Sequence, residues 1–122
     1  MPEPLITIIT VVYNRRTTLS LTLDSVMGQT YKRIEYIIID GGSTDGTLAL
    51  LEERQAEFAM LVSEPDKGLY DAMNKGLDHA TGDFCLFLNA GDAFYALDSL
   101  AQLVAAIDDP DTYYYGTAVM TD

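Results

Sequence analysis

Runs typical of buried strands alternate with helical stripes along this chain, and that alternation limits the folds open to it. The runs at 5–12 and 34–39 are almost wholly apolar and rich in β-branched residues, as strands buried in a parallel sheet are. Shorter apolar runs at 58–62, 84–88 and 113–120 predict three further strands. Between them, apolar residues at helical spacing predict helices that begin near Thr17, Ser43, Leu69 and Leu97. This order predicts a single α/β domain over residues 1–122, with a mainly parallel sheet flanked by helices.

The charge of the chain argues against several kinds of partner. The chain has seven basic and 19 acidic residues, which give a formal net charge of −12. Nucleic acids and anionic membranes bind through cationic contacts, so nucleic acid is not expected as a partner. Every Lys and Arg lies between Arg15 and Lys75, whereas residues 76–122 contain eight Asp. An anionic ligand on this second half would need a cation between it and the protein, and a divalent metal ion is the simplest one.

Cysteine content and hydropathy predict where the chain works. The single Cys85 excludes an internal disulfide and fits a reducing compartment. No apolar run is long enough to span a bilayer, and the N-terminus lacks the layout of a signal peptide. These features together predict a cytoplasmic location.

Polar or glycine-rich turns follow three of the predicted strands. They begin at Tyr13, Asp40 and Asn89. Ligands of open α/β sheets bind beyond the carboxyl ends of the strands, so these turns predict one binding edge. Each turn also has a plain structural interpretation: Asp40 and the two glycines after it as a tight turn, Tyr13 as a packing residue, and Gly91 with Asp92 as an ordinary turn. No dinucleotide-binding fingerprint, phosphate-binding loop, Ser-His-Asp arrangement or Cys/His metal spacing is present.

Five segments of the chain, taken together and in order, carry a resemblance to known proteins: 7–14, 23–31, 35–47, 64–76 and 80–92. They resemble the inverting family 2 glycosyltransferases of the GT-A fold, and the segment at 80–92 resembles the strand that carries the family's D-x-D element. The resemblance runs from about residue 5 to residue 92, and the sequence of residues 65–76 is most similar to enzymes that build bacterial extracellular polysaccharides, such as the colanic-acid type.

The resemblance implies a nucleotide-sugar donor, with a UDP-sugar favoured, and a metal-assisted transfer. Tyr13 would lie against the nucleobase, Asp40 would accept a hydrogen bond from the imide N–H of the base, and Asp92 would hold Mg²⁺ or Mn²⁺ on the diphosphate. The full set of nucleotide-binding residues that it implies is Tyr13, Asn14, Asp40, Gly41, Lys67, Asn74 and Lys75.

Two positions depart from the family pattern. Ala90 stands where a first Asp of the D-x-D element would be expected, so Asp92 would hold the metal with help from Asn89 or water. Met73 occupies a position where many relatives carry Arg near the diphosphate, so Lys67 or Lys75 would substitute for it.

The resemblance implies that the family's general base lies after Asp122. The chain is therefore expected to be the N-terminal, donor-binding part of a longer enzyme, and this part is expected to be inactive on its own. The acceptor would be a saccharide or a lipid-linked saccharide. Peripheral association with membrane machinery is expected, and apolar surface left uncovered by the missing half would favour self-association. A non-catalytic nucleotide-binding or assembly module is the alternative that this sequence leaves open.

Overall fold

The structure is a computed structural model, and it describes residues 3–106. Within these residues the chain forms four strands: Ile6–Val12 (β1), Ile34–Asp40 (β2), Met60–Ser63 (β3) and Phe84–Phe87 (β4). Its helices are Arg16–Met27 (α1), Thr47–Glu53 (α2), Leu69–His79 (α3) and Ser99–Ala106 (α4), with a short 3₁₀ turn at Gln55–Glu57. The expected α/β class is confirmed. The predicted fifth strand at 113–120 lies outside the described residues.

All four strands run parallel, in the spatial order β3-β2-β1-β4. The chain moves outward from β1 to β2 and β3, and then returns across the sheet to place β4 on the other side of β1. The strand order therefore reverses between β1 and β4. In open parallel sheets, a crevice forms at such a reversal, beyond the carboxyl ends of the two strands.

Helices cover both faces of the sheet. On one face, Ile6 and Ile8 of β1 pack with Leu19 and Leu23 of α1, and with Leu51 of α2 and Leu100 of α4. On the other face, Ile9, Ile37 and Ile39 pack with Ala72 of α3. A Cβ at Gly76 would lie 2.5 Å from Cγ2 of Ile9, so α3 approaches the sheet through small residues. This close packing holds the start of α3 beside the end of β1.

Helix α2 begins at Thr47, later than the predicted start near Ser43. Two features delay it. The Asp40 carboxylate accepts hydrogen bonds from the backbone N–H groups of Gly42 and Ser43, which folds those residues into a turn around it. Gly46 then adopts a φ of 97°, a left-handed conformation that interrupts a right-handed helix. The local residues correctly predicted that a helix follows β2, but the Asp40 side chain at the end of β2 shifts the start of that helix.

At the amino-terminal edge of the sheet, Glu35 joins β2 to the segment before β4. Its carboxylate accepts hydrogen bonds from Thr7 Oγ1 at 2.7 Å, from the backbone N–H of Thr81 at 2.8 Å and from Thr81 Oγ1 at 2.6 Å. Burial alone would raise the pKa of Glu35, but these hydrogen bonds outweigh it and lower the pKa below its ordinary value. Glu35 therefore stabilises this edge as a charged group.

No helix within residues 3–106 is long and apolar enough to cross a bilayer.

Candidate functional site

An open cleft of about 390 Å³ lies where the strand order reverses. The ends of β1 and β4 form two of its sides, and the segment between β3 and α3 forms the third. Its lining residues are Val11, Tyr13, Arg15, Asp66, Gly68, Leu69, Asn89 and Ala90. Since this volume is in the range of small-molecule sites, the cleft is the candidate ligand site of the described residues.

Tyr13 supplies the aromatic surface of the cleft. It directly follows β1, and 57% of its surface is exposed. Gly41 lies against its ring, because a Cβ at Gly41 would be 3.5 Å from Cδ1 of Tyr13. A half-exposed ring beside a bare backbone offers a face on which a planar group can stack. Of the residues that the sequence predicts to bind nucleotide, Tyr13 is the one that lines the cleft.

Asn14 connects the ends of β1 and β2. Its backbone N–H donates to Ser43 Oγ at 2.8 Å, and its side-chain Oδ1 accepts from the N–H of Thr44 at 2.8 Å. Asn14 has a positive φ of 51°, which Asn tolerates better than most residues. These bonds hold the chain beyond β1 in place and direct the following residue, Arg15, to the cleft.

Arg15 is the basic residue among those that line the cleft. Its backbone N–H donates to Thr47 Oγ1 at 3.2 Å, while its exposed side chain has no ion-pair partner among residues 3–106. An unpaired guanidinium at the mouth of a cleft can form two parallel hydrogen bonds to a phosphate or carboxylate. Arg15 is not among the nucleotide-binding residues predicted from the sequence.

Asp40 has a different position from the one that its expected role requires. The residue is 0% exposed, so its carboxylate has no surface from which to contact a base. Oδ2 accepts hydrogen bonds from the N–H groups of Gly42 and Ser43 and from Ser63 Oγ, and Oδ1 accepts one from Ser43 Oγ at 2.5 Å. Its acceptor capacity is thus used within the protein. The geometry favours the structural interpretation of Asp40, as the organiser of the loop at 41–46.

The three predicted contacts in the segment at 67–75 lie outside the cleft lining. Lys67 and Asn74 are exposed. Lys75 is tied to its own surroundings, since its Nζ donates to the carbonyl oxygen of Pro65 at 3.1 Å and pairs with Glu64 at 3.1 Å and Asp71 at 3.7 Å. Burial opposes the charge of Lys75, but the carboxylates of Glu64, Asp71 and Asp66 outweigh that effect and raise its pKa. Lys75 therefore anchors the segment between β3 and α3.

The loop at 88–92, which we call the β4 loop, carries oxygen atoms without protein partners. The side-chain Oδ1 of Asn89 is buried and has no hydrogen-bond donor within residues 3–106. The carboxylate of Asp92 also lacks a protein hydrogen bond in the described part of the chain, although its backbone oxygen accepts from Thr22 Oγ1 at 2.6 Å. Buried oxygens without donors are what a cation or a ligand donor satisfies.

The donor set of the β4 loop fits a divalent cation shared with a phosphorylated ligand. No group of three or more His, Cys, Asp or Glu side chains converges among residues 3–106, so the protein does not supply a complete cage. Mg²⁺ and similar hard cations are commonly held by one or two protein oxygens, with phosphate oxygens and water as the remaining ligands. Asn89 and Asp92 together match that arrangement.

Sequence reasoning missed Arg15 and Asp66 and gave Asn89 only a supporting role. The usable signal for Asp66 was its position beyond β3, because the carboxyl end of a third parallel strand reaches the same edge as the other two. Only the tertiary structure distinguishes the cleft-lining Asp66 from the buried Asp40.

Comparison with known proteins identifies the family. The family model described as Glycosyl transferase family 2 matches residues 7–122. An uncharacterized glycosyltransferase of Mycobacterium tuberculosis is 46% identical over 105 residues, which cover 85% of this chain and 40% of that protein. An Escherichia coli protein named as a UDP-Glc:alpha-D-GlcNAc-diphosphoundecaprenol beta-1,3-glucosyltransferase is 32% identical over 117 residues, covering 95% of this chain and 46% of the relative.

Among solved structures, a mannosyltransferase from Pyrobaculum calidifontis in complex with GDP-Man and Mn²⁺ superposes with a TM-score of 0.80 and 32% identity. The match covers 89% of this chain and 34% of that one. The chain thus spans less than half the length of these relatives, and its parallel sheet with flanking helices is the GT-A fold. From its sequence match and its fold alike, the chain belongs to glycosyl transferase family 2.

Proposed function

We propose that this chain is the donor-binding part of an inverting glycosyltransferase that takes its sugar from a nucleoside diphosphate. The observation that carries the proposal is the cleft at the strand reversal. It combines a stacking surface at Tyr13 with two groups that have no protein partner among residues 3–106, the guanidinium of Arg15 and the side-chain oxygen of Asn89. These three features match the three parts of a metal-bound nucleoside diphosphate: base, phosphate and cation.

The proposed placement pairs each part of the ligand with a side chain of matching chemistry. The base stacks on Tyr13 beside Gly41, and Arg15 faces the diphosphate. Asn89 and Asp92 hold Mg²⁺ or Mn²⁺, which when bound neutralises the charge that develops on the leaving nucleoside diphosphate. A cation also offsets the acidity of this half of the chain, where no Lys or Arg follows Lys75. Lys67 and Asn74, both exposed, remain proposed contacts for the sugar or the diphosphate.

The acceptor and the linkage belong to the rest of the proposal. We assign a saccharide or lipid-linked saccharide acceptor, as the name of the Escherichia coli relative indicates for that protein. We propose that the general base that deprotonates the acceptor hydroxyl lies outside this chain, in a segment corresponding to the part of the relatives that the chain does not match. A UDP-sugar is the favoured donor, although the Pyrobaculum protein binds GDP-Man.

Binding of nucleotides tests the proposal directly. We expect UDP or GDP to bind in the presence of Mn²⁺, and Tyr13→Ala to weaken that binding by about tenfold or more, because base stacking contributes about 1–3 kcal/mol. Titration calorimetry measures both. Tyr95→Ala is the matched control, since Tyr95 is 74% exposed and does not line the cleft. Absence of binding by the unchanged chain, or equal binding by the Tyr13 variant, would contradict the proposal.

A further inference from the structure

The cleft is also lined by a carboxylate that is not among the expected nucleotide contacts. Asp66 lies in the segment between β3 and α3, and it is half-buried. It shares the cleft with Tyr13, Arg15 and Asn89, and it is the acidic residue of that lining. A negative charge is out of place beside a diphosphate, so its role has to concern another part of the ligand.

Gly41 makes the room that Asp66 occupies. A Cβ at Gly41 would lie 2.6 Å from Asp66 Oδ2 and 3.5 Å from Cδ1 of the Tyr13 ring. The Asp66 carboxylate thus fills the volume that a side chain at position 41 would fill, and it does so beside the stacking surface. The neighbouring Gly42 needs its freedom for a positive φ of 91°, whereas Gly41 does not have a left-handed φ. Position 41 therefore needs glycine because there is no room for a side chain, and not because of its backbone conformation.

One carboxylate oxygen of Asp66 is available to accept a hydrogen bond from a ligand. Its Oδ1 accepts a hydrogen bond from the N–H of Gly68 at 3.0 Å, which orients the carboxylate. Its Oδ2 has no protein donor within residues 3–106. In contrast, both carboxylate oxygens of the buried Asp40 are occupied by protein donors. Of the two carboxylates, Asp66 is the one that can accept a hydrogen bond from a ligand.

The segment that carries Asp66 is held on both sides. Lys75 Nζ donates to the carbonyl oxygen of Pro65 at 3.1 Å, and the Asp71 carboxylate accepts from the N–H of Lys67 at 2.9 Å. Both anchors come from α3, which packs closely against the sheet through Gly76. A carboxylate held this way is preorganised, and a preorganised acceptor discriminates better between ligands than a mobile one does.

We infer that Asp66 is the residue that selects the nucleobase, because its carboxylate accepts a hydrogen bond from the ring N–H of a base stacked on Tyr13. This inference rests on the proposed donor site. Uracil and guanine both present a ring N–H that a carboxylate can accept, whereas the corresponding nitrogen of cytosine is itself an acceptor. Facing Asp66, cytosine would leave two acceptors opposed without a proton between them. The site therefore takes uridine or guanosine diphosphates and rejects cytidine diphosphate.

Calorimetric titration with UDP, GDP and CDP in the presence of Mn²⁺ tests this selection. We expect the unchanged chain to bind UDP or GDP at least tenfold more tightly than CDP, the size of effect that an unpaired polar group produces. The comparison of UDP with GDP shows which of the two bases is used. Asp66→Asn should remove most of the preference over CDP, because the amide can donate to cytosine as well as accept. Asp78→Asn, on the exposed end of α3, is the control for the loss of one negative charge.

Gly41→Ala provides a second test that leaves Asp66 in the sequence. The added methyl group displaces the carboxylate, so the same loss of base preference is expected, with circular dichroism confirming the fold. An unaltered preference in Asp66→Asn, or an equal weakening of UDP, GDP and CDP, would overturn the role of Asp66 while leaving the donor site intact. If the unchanged chain binds none of the three, the proposed function fails together with this inference.

Discussion

Two loops at the same edge of the sheet look alike in sequence but differ in which polar side-chain atoms lack hydrogen-bond partners. The loop at 41–46 follows β2, and the β4 loop at 88–92 follows β4. Each comes after a buried parallel strand, and the two carboxylates to compare are Asp40, directly before the first loop, and Asp92, at the end of the second. Around the first, Asp40 is fully buried and accepts four hydrogen bonds from protein donors. In the second, Asn89 Oδ1 is buried without a donor, and the Asp92 carboxylate has no protein partner among residues 3–106.

The difference teaches how to separate a structural carboxylate from a ligand-binding one. A polar group whose capacity is used inside the protein stabilises the fold, and it has nothing left for a ligand. A buried oxygen without a partner lowers stability, and it persists where a ligand later pairs with it. The loop at 41–46 should therefore matter most for folding, and the β4 loop for binding.

The largest effect is expected at Asp40. Asp40→Ala leaves two backbone N–H groups and two hydroxyl groups without their acceptor, so the free energy of unfolding should fall by about 3 kcal/mol or more. Asp92→Ala should change it by only about 0.5 kcal/mol, because that side chain pairs with nothing in the described part of the chain. Urea denaturation of both variants compares them. Equal losses of stability would remove the distinction between the two loops.

The second prediction concerns Asn89, where stability and binding should move in opposite directions. Asn89→Leu replaces a buried unpaired oxygen by a side chain of similar shape, so the free energy of unfolding should rise by about 1 kcal/mol. The Mn²⁺-dependent affinity for UDP or GDP should fall by about tenfold to a hundredfold, as it should in Asp92→Asn. Denaturation and calorimetry with Mn²⁺ and with EDTA measure the two effects. Unchanged metal dependence would exclude the β4 loop as the cation site.

The smallest expected effect lies at the opposite edge of the sheet, where Glu35 is another internally paired carboxylate. The Thr81 hydroxyl can turn to accept from the amide group of Glu35→Gln, but the neutral side chain accepts more weakly from Thr7 Oγ1 and from the Thr81 N–H, so this variant should lose about 1 kcal/mol at neutral pH. Because folding lowers the pKa of Glu35 from its ordinary value of 4.5, its contribution is fully present above that pH. It is lost as the pH falls through the lower, folded-state pKa.

The difference in stability between the unchanged chain and Glu35→Gln should therefore shrink on acidification below about pH 4.5. Denaturation curves at a series of pH values reveal it, with Glu52→Gln on α2 as an exposed control. A difference that stays constant across this range would mean that Glu35 is not held as the charged form.

Local sequence signals were sufficient for most elements. The apolar runs predicted β1, β2 and β4 to within a residue at each end, and helical spacing predicted α3 nearly to its last residue. Helix α2 was placed too early, because the Asp40 side chain and the left-handed Gly46 compete with the local helix signal in ways that need the folded loop. The candidate site was less predictable, since Tyr13 is its one expected nucleotide contact that lines the cleft.

The sequence by itself determined the fold class, the family and the candidate ligand-binding edge of the sheet, because each depends on residue patterns that can be recognised along the chain without knowing which residues meet in space. Buried strands are apolar wherever they occur, and polar turns follow them at the carboxyl end. Only the tertiary structure decided which carboxylate stays available. Asp40 and Asp66 have the same side chain, but Ser63 of β3 and the loop at 41–46 surround the first, while the missing Cβ of Gly41 leaves space for the second beside Tyr13. Hydrogen-bond capacity is shared among residues distant in sequence, so it is settled only when the strands are side by side.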